Sequence, residues 1–234
     1  MHARTRSGVA DLPKAERLPR PQALQAWNPD LKGRFSLRWV PHGDAWVNED
    51  TPAAPNFPLG ETMAEAEQAI LQLVRAHQFP AILLRIGTIY GPGRDFVDMV
   101  RTGTATLIGD GRNFLTHIHI DDLLDVLQRL AHSGQPGAIY NVCDNEPTRA
   151  ADFYGAVRQR LGMLPPRAYS VEGALAAGMD LSVVGMAALS ARMSNGRLRD
   201  DTGIALLYPS IHAWLDEQFG PATEAAPPLL AVEA

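Results

Sequence analysis

Two histidines two positions apart, His117 and His119, stand in the run THIHIDD with a pair of aspartates directly behind them. On a strand, alternate side chains share a face, so the two imidazoles would converge. That is half of a metal site, yet a two-histidine pair without a placed carboxylate is more often packing than ligation. Asp121 and Asp122 keep the metal reading open, while their place at a helix start, where the dipole favours negative charge, accounts for them equally. No metal is assigned. Glu65 and Glu67 lie on different faces of one helix and are expected to be solvated surface rather than an acid/base pair. Cys143 precedes the acidic run DNE, which raises a thiol pKa, so it is not expected to be a nucleophile. Tyr90 and Tyr140 close apolar runs, and either could serve as a phenolic acid only where the fold happens to place it.

The run IGTIYGPGR carries a different kind of chemistry. Gly87, Gly91 and Gly93 let the backbone turn and approach a ligand closely, while Pro92 stiffens the turn. A loop at the carboxyl end of a parallel strand is where open α/β sheets bind ligands. Spacing alone fits a pocket wall and a ligand-free turn equally well.

These residues need elements to hold them. FSLRWV (35–40) and the nearly continuous AILLRI (81–86) suit strands, the second buried on both faces. Between them Ala66, Ala69, Ile70, Leu73 and Val74 recur at helical spacing. THIHI (116–120) leads into a helix with an apolar stripe of Leu123, Leu124, Leu127 and Leu130, and AIYNV (138–142) is the next strand. Thr148 suits an N-cap for the following helix and Gly162 its end. Strands alternating with helices predict an α/β fold with a mostly parallel sheet.

The 234 residues suffice for one ordinary domain with a sizeable core. A net charge of -5 argues against a nucleic-acid surface, and no apolar run is long enough to cross a membrane. One cysteine excludes an internal disulfide framework, so a reducing cytoplasm is the expected compartment. Residues 1–34, rich in proline and charge, read as an irregular extension, 35–219 as the domain, and 220–234 as a flexible tail.

Five segments in order, GDAWVNEDTPAAP, LLRIGTIYGPGR, THIHIDDLLDVL, GAIYNVCDNEP and SNGRLRDDTGIALLYPS, resemble the extended short-chain dehydrogenase/reductase superfamily in its NAD-dependent epimerase/dehydratase branch. The resemblance implies an incomplete Rossmann-like, mostly parallel sheet with a small C-terminal α/β substrate-domain portion. It implies NAD or NADP as cofactor, with Tyr90, Gly91 and Pro92 as contacts, and Arg94, Arg112 and His117 beside a small-molecule or sugar-like substrate. It further implies a homodimer through the helix spanning 60–77.

The chain departs from that family in three places. No G-x-x-G-x-x-G turn for the pyrophosphate occurs in it. The family's tyrosine and lysine, four apart on one helix face, fall on Leu59 and Met63, which move no proton, so no catalytic residue is assigned. The arginine that grips a diphosphate before the THIHI strand falls on Leu115, with Arg112 three positions away. Charge-assisted hydrogen bonds contribute about 1.5–3 kcal/mol each, so loss of the phosphate turn predicts weak cofactor binding. The expectation is therefore an epimerase/dehydratase-like protein without standard dehydrogenase activity. The alternative is a non-catalytic binding protein or a truncated gene product with unpaired sheet edges.

Overall fold

The structure, a computed structural model, describes residues 45–52, 58–92, 96–102, 104–163 and 166–221. The expected strand at 35–40, Gly93 and Arg94 of the glycine turn, and the irregular stretch 1–34 lie outside the described residues.

The first elements are β1 (Trp46–Val47), helix α1 (Pro58–His77), β2 (Leu83–Ile86) and β3 (Thr88–Tyr90). Next come α2 (Phe96–Arg101), β4 (Thr106–Ile108), β5 (Phe114–Leu115), β6 (His117–His119) and α3 (Ile120–Ser133). Then follow β7 (Ile139–Val142), β8 (Thr148–Arg149), α4 (Ala150–Leu161), β9 (Arg167–Tyr169), α5 (Val171–Ala176) and α6 (Leu181–Ala187). The described chain closes with β10 (Arg192–Met193), α7 (Gly196–Thr202) and α8 (Ile211–Phe219).

Among the described residues, pairing is parallel for β1 with β10, β2 with β7, β3 with β6 and β4 with β9, and antiparallel for β5 with β8. The fold is α/β with a mostly parallel pairing pattern, as expected. Residues 83–90 run as one extended stretch that changes partners in the middle. Gly87 donates its N–H to the Val142 carbonyl on the β7 side, and Thr88 donates to Thr116 on the β6 side. A Cβ on Gly87 would stand 2.9 Å from the Thr116 carbonyl oxygen, so only glycine lets the strand pass between its two partners.

Pleat alternation divides the core. Ile118 points to a cluster with Ile86, Ile89, Val126 and Val142, whereas Tyr90 belongs to a second cluster with Phe153, Trp214 and Leu215. The pair β4 and β9 with α5 and α6 builds a small satellite around Ile108, Ala174 and Val184, the expected C-terminal portion.

Several local expectations need correction. The buried stripe of α3 is Leu123, Val126 and Leu130; Leu124 and Leu127 are exposed, because a sheet-facing stripe follows spacings of three and four while a leucine at every apolar position would wrap the helix. Thr148 is not an N-cap. It pairs with Leu115 in the antiparallel ladder, and Arg149 occupies the cap position of α4 without a side-chain bond. Gly162 does end that helix. Glu67 is not solvated surface: it is buried, and its carboxylate takes a two-pronged bond from Arg85 at 2.8 and 3.2 Å.

Candidate functional site

The ends of three strands converge at Tyr90, His119 and Asp144. β3 ends at Tyr90, β6 ends at His119, and the stretch after β7 continues through Cys143 to Asp144, whose N–H donates to the His117 carbonyl at 2.6 Å. The two histidines do share a face, as their alternation predicts. Tyr90 stands edge-on to both rings, with centroids 6.2 Å from His117 and 5.2 Å from His119. Phe153 lies 5.0 Å from the His117 ring, and Tyr208 4.2 Å from the His119 ring. Trp214 of α8 closes the cluster over Tyr90 at 5.3 Å.

His119 also starts α3. Its Nδ1 accepts the Asp121 N–H at 3.2 Å, so a neutral ring carries its proton on Nε2. Gly91, at φ +114°, leaves that nitrogen room: a Cβ there would lie 2.5 Å from it. The open side of Gly91 is thus filled by the protein's own imidazole. Asp122 joins the cap from the other side. Its two carboxylate oxygens accept the N–H groups of Leu207 and Tyr208 at 2.6 and 3.0 Å, pinning the segment that leads into α8.

The cluster is closed to water. Tyr90 and His117 are each 1% exposed and His119 2%. Tyr90 Oη, His117 Nδ1, His119 Nε2 and Asp144 Oδ2 have no hydrogen-bond partner among the described residues. Burial pushes every one of these groups toward its neutral form. It lowers His117 to about 3, with a smaller contribution from His212, and lowers His119 against the opposing pull of Asp121 and Asp122. Burial first, then Asp144 and Asp122, raises the Tyr90 phenol; burial also holds the Asp144 carboxyl well above the ordinary range. Cys143 is raised by burial first and by Asp144 next, and is inert. Neutral, enclosed groups of this kind hold strand ends and helix starts together.

Of the remaining expected contacts, the described ones are exposed. Pro92 is exposed at the rim, Arg94 lies outside the described residues, and Arg112 is exposed, its N–H bonded to Asp110 at 3.0 Å. Among the described residues no group of three His, Cys, Asp or Glu side chains could hold a metal ion. Beside Gly91, in the Tyr90–Pro92 turn, the space a Cβ would fill is taken by the His119 ring.

On α1, Leu59 and Met63 stand one turn apart and half-buried. One turn further is the buried Glu67, and there a polar network begins. Arg85 bonds Glu67 and the Glu49 carbonyl; the Glu49 carboxylate accepts the Asn141 N–H at 2.8 Å; the Asn141 amide bridges the Val47 and Ser194 carbonyls. Sequence reasoning missed Glu49, Glu67, Arg85 and Asn141 as a unit. The available signal was Arg85, a charge in the middle of an otherwise apolar strand, which demands a buried counter-charge.

The sequence matches the NAD dependent epimerase/dehydratase family over residues 38–143. The chain is 28% identical over 137 residues to a 3-diazoavenalumate denitrifying reductase from Streptomyces, covering 55% of this chain and 44% of that protein. It spans less than half the length of the first curated relatives it matches. Among solved structures, a conserved protein of unknown function from Silicibacter pomeroyi superposes with a TM-score of 0.63 at 28% identity, over 76% of this chain and 61% of that one. A dTDP-glucose 4,6-dehydratase from Bacillus anthracis, solved with NAD, superposes with a TM-score of 0.60 at 19% identity, over 79% and 59%, and shares the fold. No helix among the described residues is long and apolar enough to cross a membrane.

Proposed function

We propose that the chain is an NAD(P)-type epimerase/dehydratase-like protein that does not run the standard dehydrogenation. One observation carries this reading: the α1 face that would present a phenol and an ammonium one turn apart presents Leu59 and Met63. A phenol made acidic by a neighbouring ammonium is a general acid/base device, and neither a branched alkyl nor a thioether replaces it. The enclosed Tyr90 cluster offers no substitute, because its groups are neutral and shut from solvent. The substrate class in this reading is a small or sugar-like molecule, bound rather than oxidised.

The purified chain is mixed with NADH or NADPH and a 4-keto nucleotide sugar, and absorbance of the reduced nicotinamide is followed. The expected result is consumption no faster than the protein-free blank. Turnover by the unaltered chain at the rate of a working dehydrogenase, on the order of 1–1000 per second, would sink the reading. Self-association along α1, supported by the half-buried Ile70 and Leu73, is tested by sedimentation of the same sample.

A further inference from the structure

The junction between β10 and α7 holds the sequence's one Asn–Gly pair, Asn195–Gly196. In an unfolded chain such an asparagine is the most open to attack by its own backbone, because glycine carries no side chain to shield the next amide nitrogen. Here both reacting groups are pinned. Asn195 is 4% exposed, and its Nδ2 donates to the Cys143 carbonyl at 2.8 Å and to Asn145 Oδ1 at 2.9 Å. The Gly196 N–H, whose nitrogen is the nucleophile in that attack, donates to Ser194 Oγ at 3.2 Å. Neighbouring bonds fix the same corner. Ser194 donates its N–H to the Val47 carbonyl at 2.9 Å, and the Asn141 amide donates to the Ser194 carbonyl at 3.1 Å.

The backbone does not call for glycine at 196. It is the first residue of α7 and lacks the left-handed φ of Gly162 or Gly203, and a Cβ there would meet only Ser194 Oγ, at 3.3 Å. Alanine fits after a small turn of that hydroxyl, and it is the better helix former. Asparagine at 195, by contrast, is matched to its surroundings in a way an acid does not copy. The exposed Asn145 can turn its amide to offer N–H in place of oxygen, but the Cys143 carbonyl cannot. A carboxylate at 195 would therefore face a buried carbonyl oxygen with no proton between them. The disturbance reaches α7 directly. Leu198 is fully buried in the cluster with Ile118 and Val142, and Arg197 donates to both Asp50 carboxylate oxygens at 2.9 and 2.8 Å.

We propose that Asn195–Gly196 is a site of spontaneous deamidation that the folded junction holds off, so that conversion occurs only from the opened junction and then keeps it open. In the opened chain the Gly196 nitrogen gives its proton to solvent and bonds to Asn195 Cγ. The Cγ–Nδ2 bond breaks, and ammonia leaves with a proton taken from solvent. Water then adds to either carbonyl carbon of the succinimide ring. Breaking the bond from Cγ to the Gly196 nitrogen leaves aspartate, whereas breaking the bond from the Asn195 main-chain carbonyl carbon leaves isoaspartate, whose main chain runs through Cγ. A water is consumed and an ammonia released, with nothing oxidised or reduced. Either product removes the donor from the Cys143 carbonyl, and isoaspartate also lengthens the chain between the Val47 bond and α7. This goes beyond the function proposed above and depends on no ligand.

The full chain is held in mildly alkaline buffer, either folded or in guanidinium chloride, and conversion at 195 is followed by peptide mass and by labelling with an isoaspartyl methyltransferase. The unfolded chain is expected to convert at Asn195 ahead of every other asparagine, and the folded chain about tenfold more slowly or less, since it reacts only when the junction opens. Gly196→Ala should slow conversion in denaturant by about tenfold, while the folded variant melts at or above the parent temperature. Asn195→Asp, made without denaturant, should melt below the parent, and its failure to fold at all would read the same way. Equal conversion of folded and unfolded chain overturns the proposal. So does an Asn195 no faster in denaturant than the other asparagines, or an Asn195→Asp chain that melts with the parent.

Discussion

At the residue scale, two positions separate what side-chain type foretells from what contact decides. Gly91 reads in the sequence as a turn residue open to a ligand, and in the structure its missing Cβ is the space that His119 Nε2 occupies. Gly91→Ala meets both that nitrogen and an unfavourable φ, so it is expected to cost about 2–4 kcal/mol, combining backbone strain with overpacking. Urea denaturation checks this, and a midpoint equal to the parent's would show that the His119 ring yields without cost. Glu67 is the second case. Its acidic type suggested a wet surface, yet it is buried against Arg85. Arg85→Met leaves an unpaired buried carboxylate and is expected to cost about 3–5 kcal/mol, whereas adding Glu67→Leu should recover much of that loss. A double variant no more stable than Arg85→Met would mean that the remaining contacts of Arg85, including the Glu49 carbonyl, outweigh the ion pair. Neither partner could be read from periodicity, because burial of a charge depends on what an unrelated strand brings to it.

At the element scale, the strands AILLRI, THIHI and AIYNV, the helix before the first and the helices after the other two were legible, since each is a run of apolar residues whose period matches its conformation. Strand partners were not. The handover at Gly87 from β7 to β6 depends on a 2.9 Å approach between segments about thirty residues apart. The same limit applies to the site: the shared face of His117 and His119 follows from strand alternation, but its closure by Trp214 and Tyr208 comes from a helix and a loop far along the chain. Asp122 ties these levels together. Placed by sequence at a helix start for its charge, it also grips the Leu207 and Tyr208 N–H groups, and so couples the beginning of α3 to the approach of α8. Asp122→Ala is expected to leave β2, β3 and β7 protected against hydrogen exchange while protection falls at least tenfold across 207–219. Uniform loss over all elements would place Asp122 in the global core rather than at this joint.

For the described residues as a whole, the enclosed cluster makes stability depend on pH in a direction that can be worked out group by group. His117 titrates at about 3 when folded and near 6.5 when unfolded, so between those values the unfolded chain binds more protons. His119 is shifted the same way by burial. The His117 contribution is complete above pH 6.5 and is lost as pH falls through the window toward 3, and that of His119 is lost in the same direction. Asp144 opposes them. Its folded pKa lies above 3.8, so the folded chain holds the proton longer, and its contribution is lost as pH rises above 3.8. Two histidines against one carboxyl predict a net fall in the urea midpoint on acidification from pH 6.5 to 4.5. His117→Phe, which keeps a flat ring against Phe153, should flatten that profile, and Asp144→Asn should steepen it. A His117→Phe profile as steep as the parent's would show that His117 reaches water or a partner before the chain unfolds. The sealed core would then be open on that timescale, and the Tyr90 cluster would regain a claim to chemistry that its burial now denies.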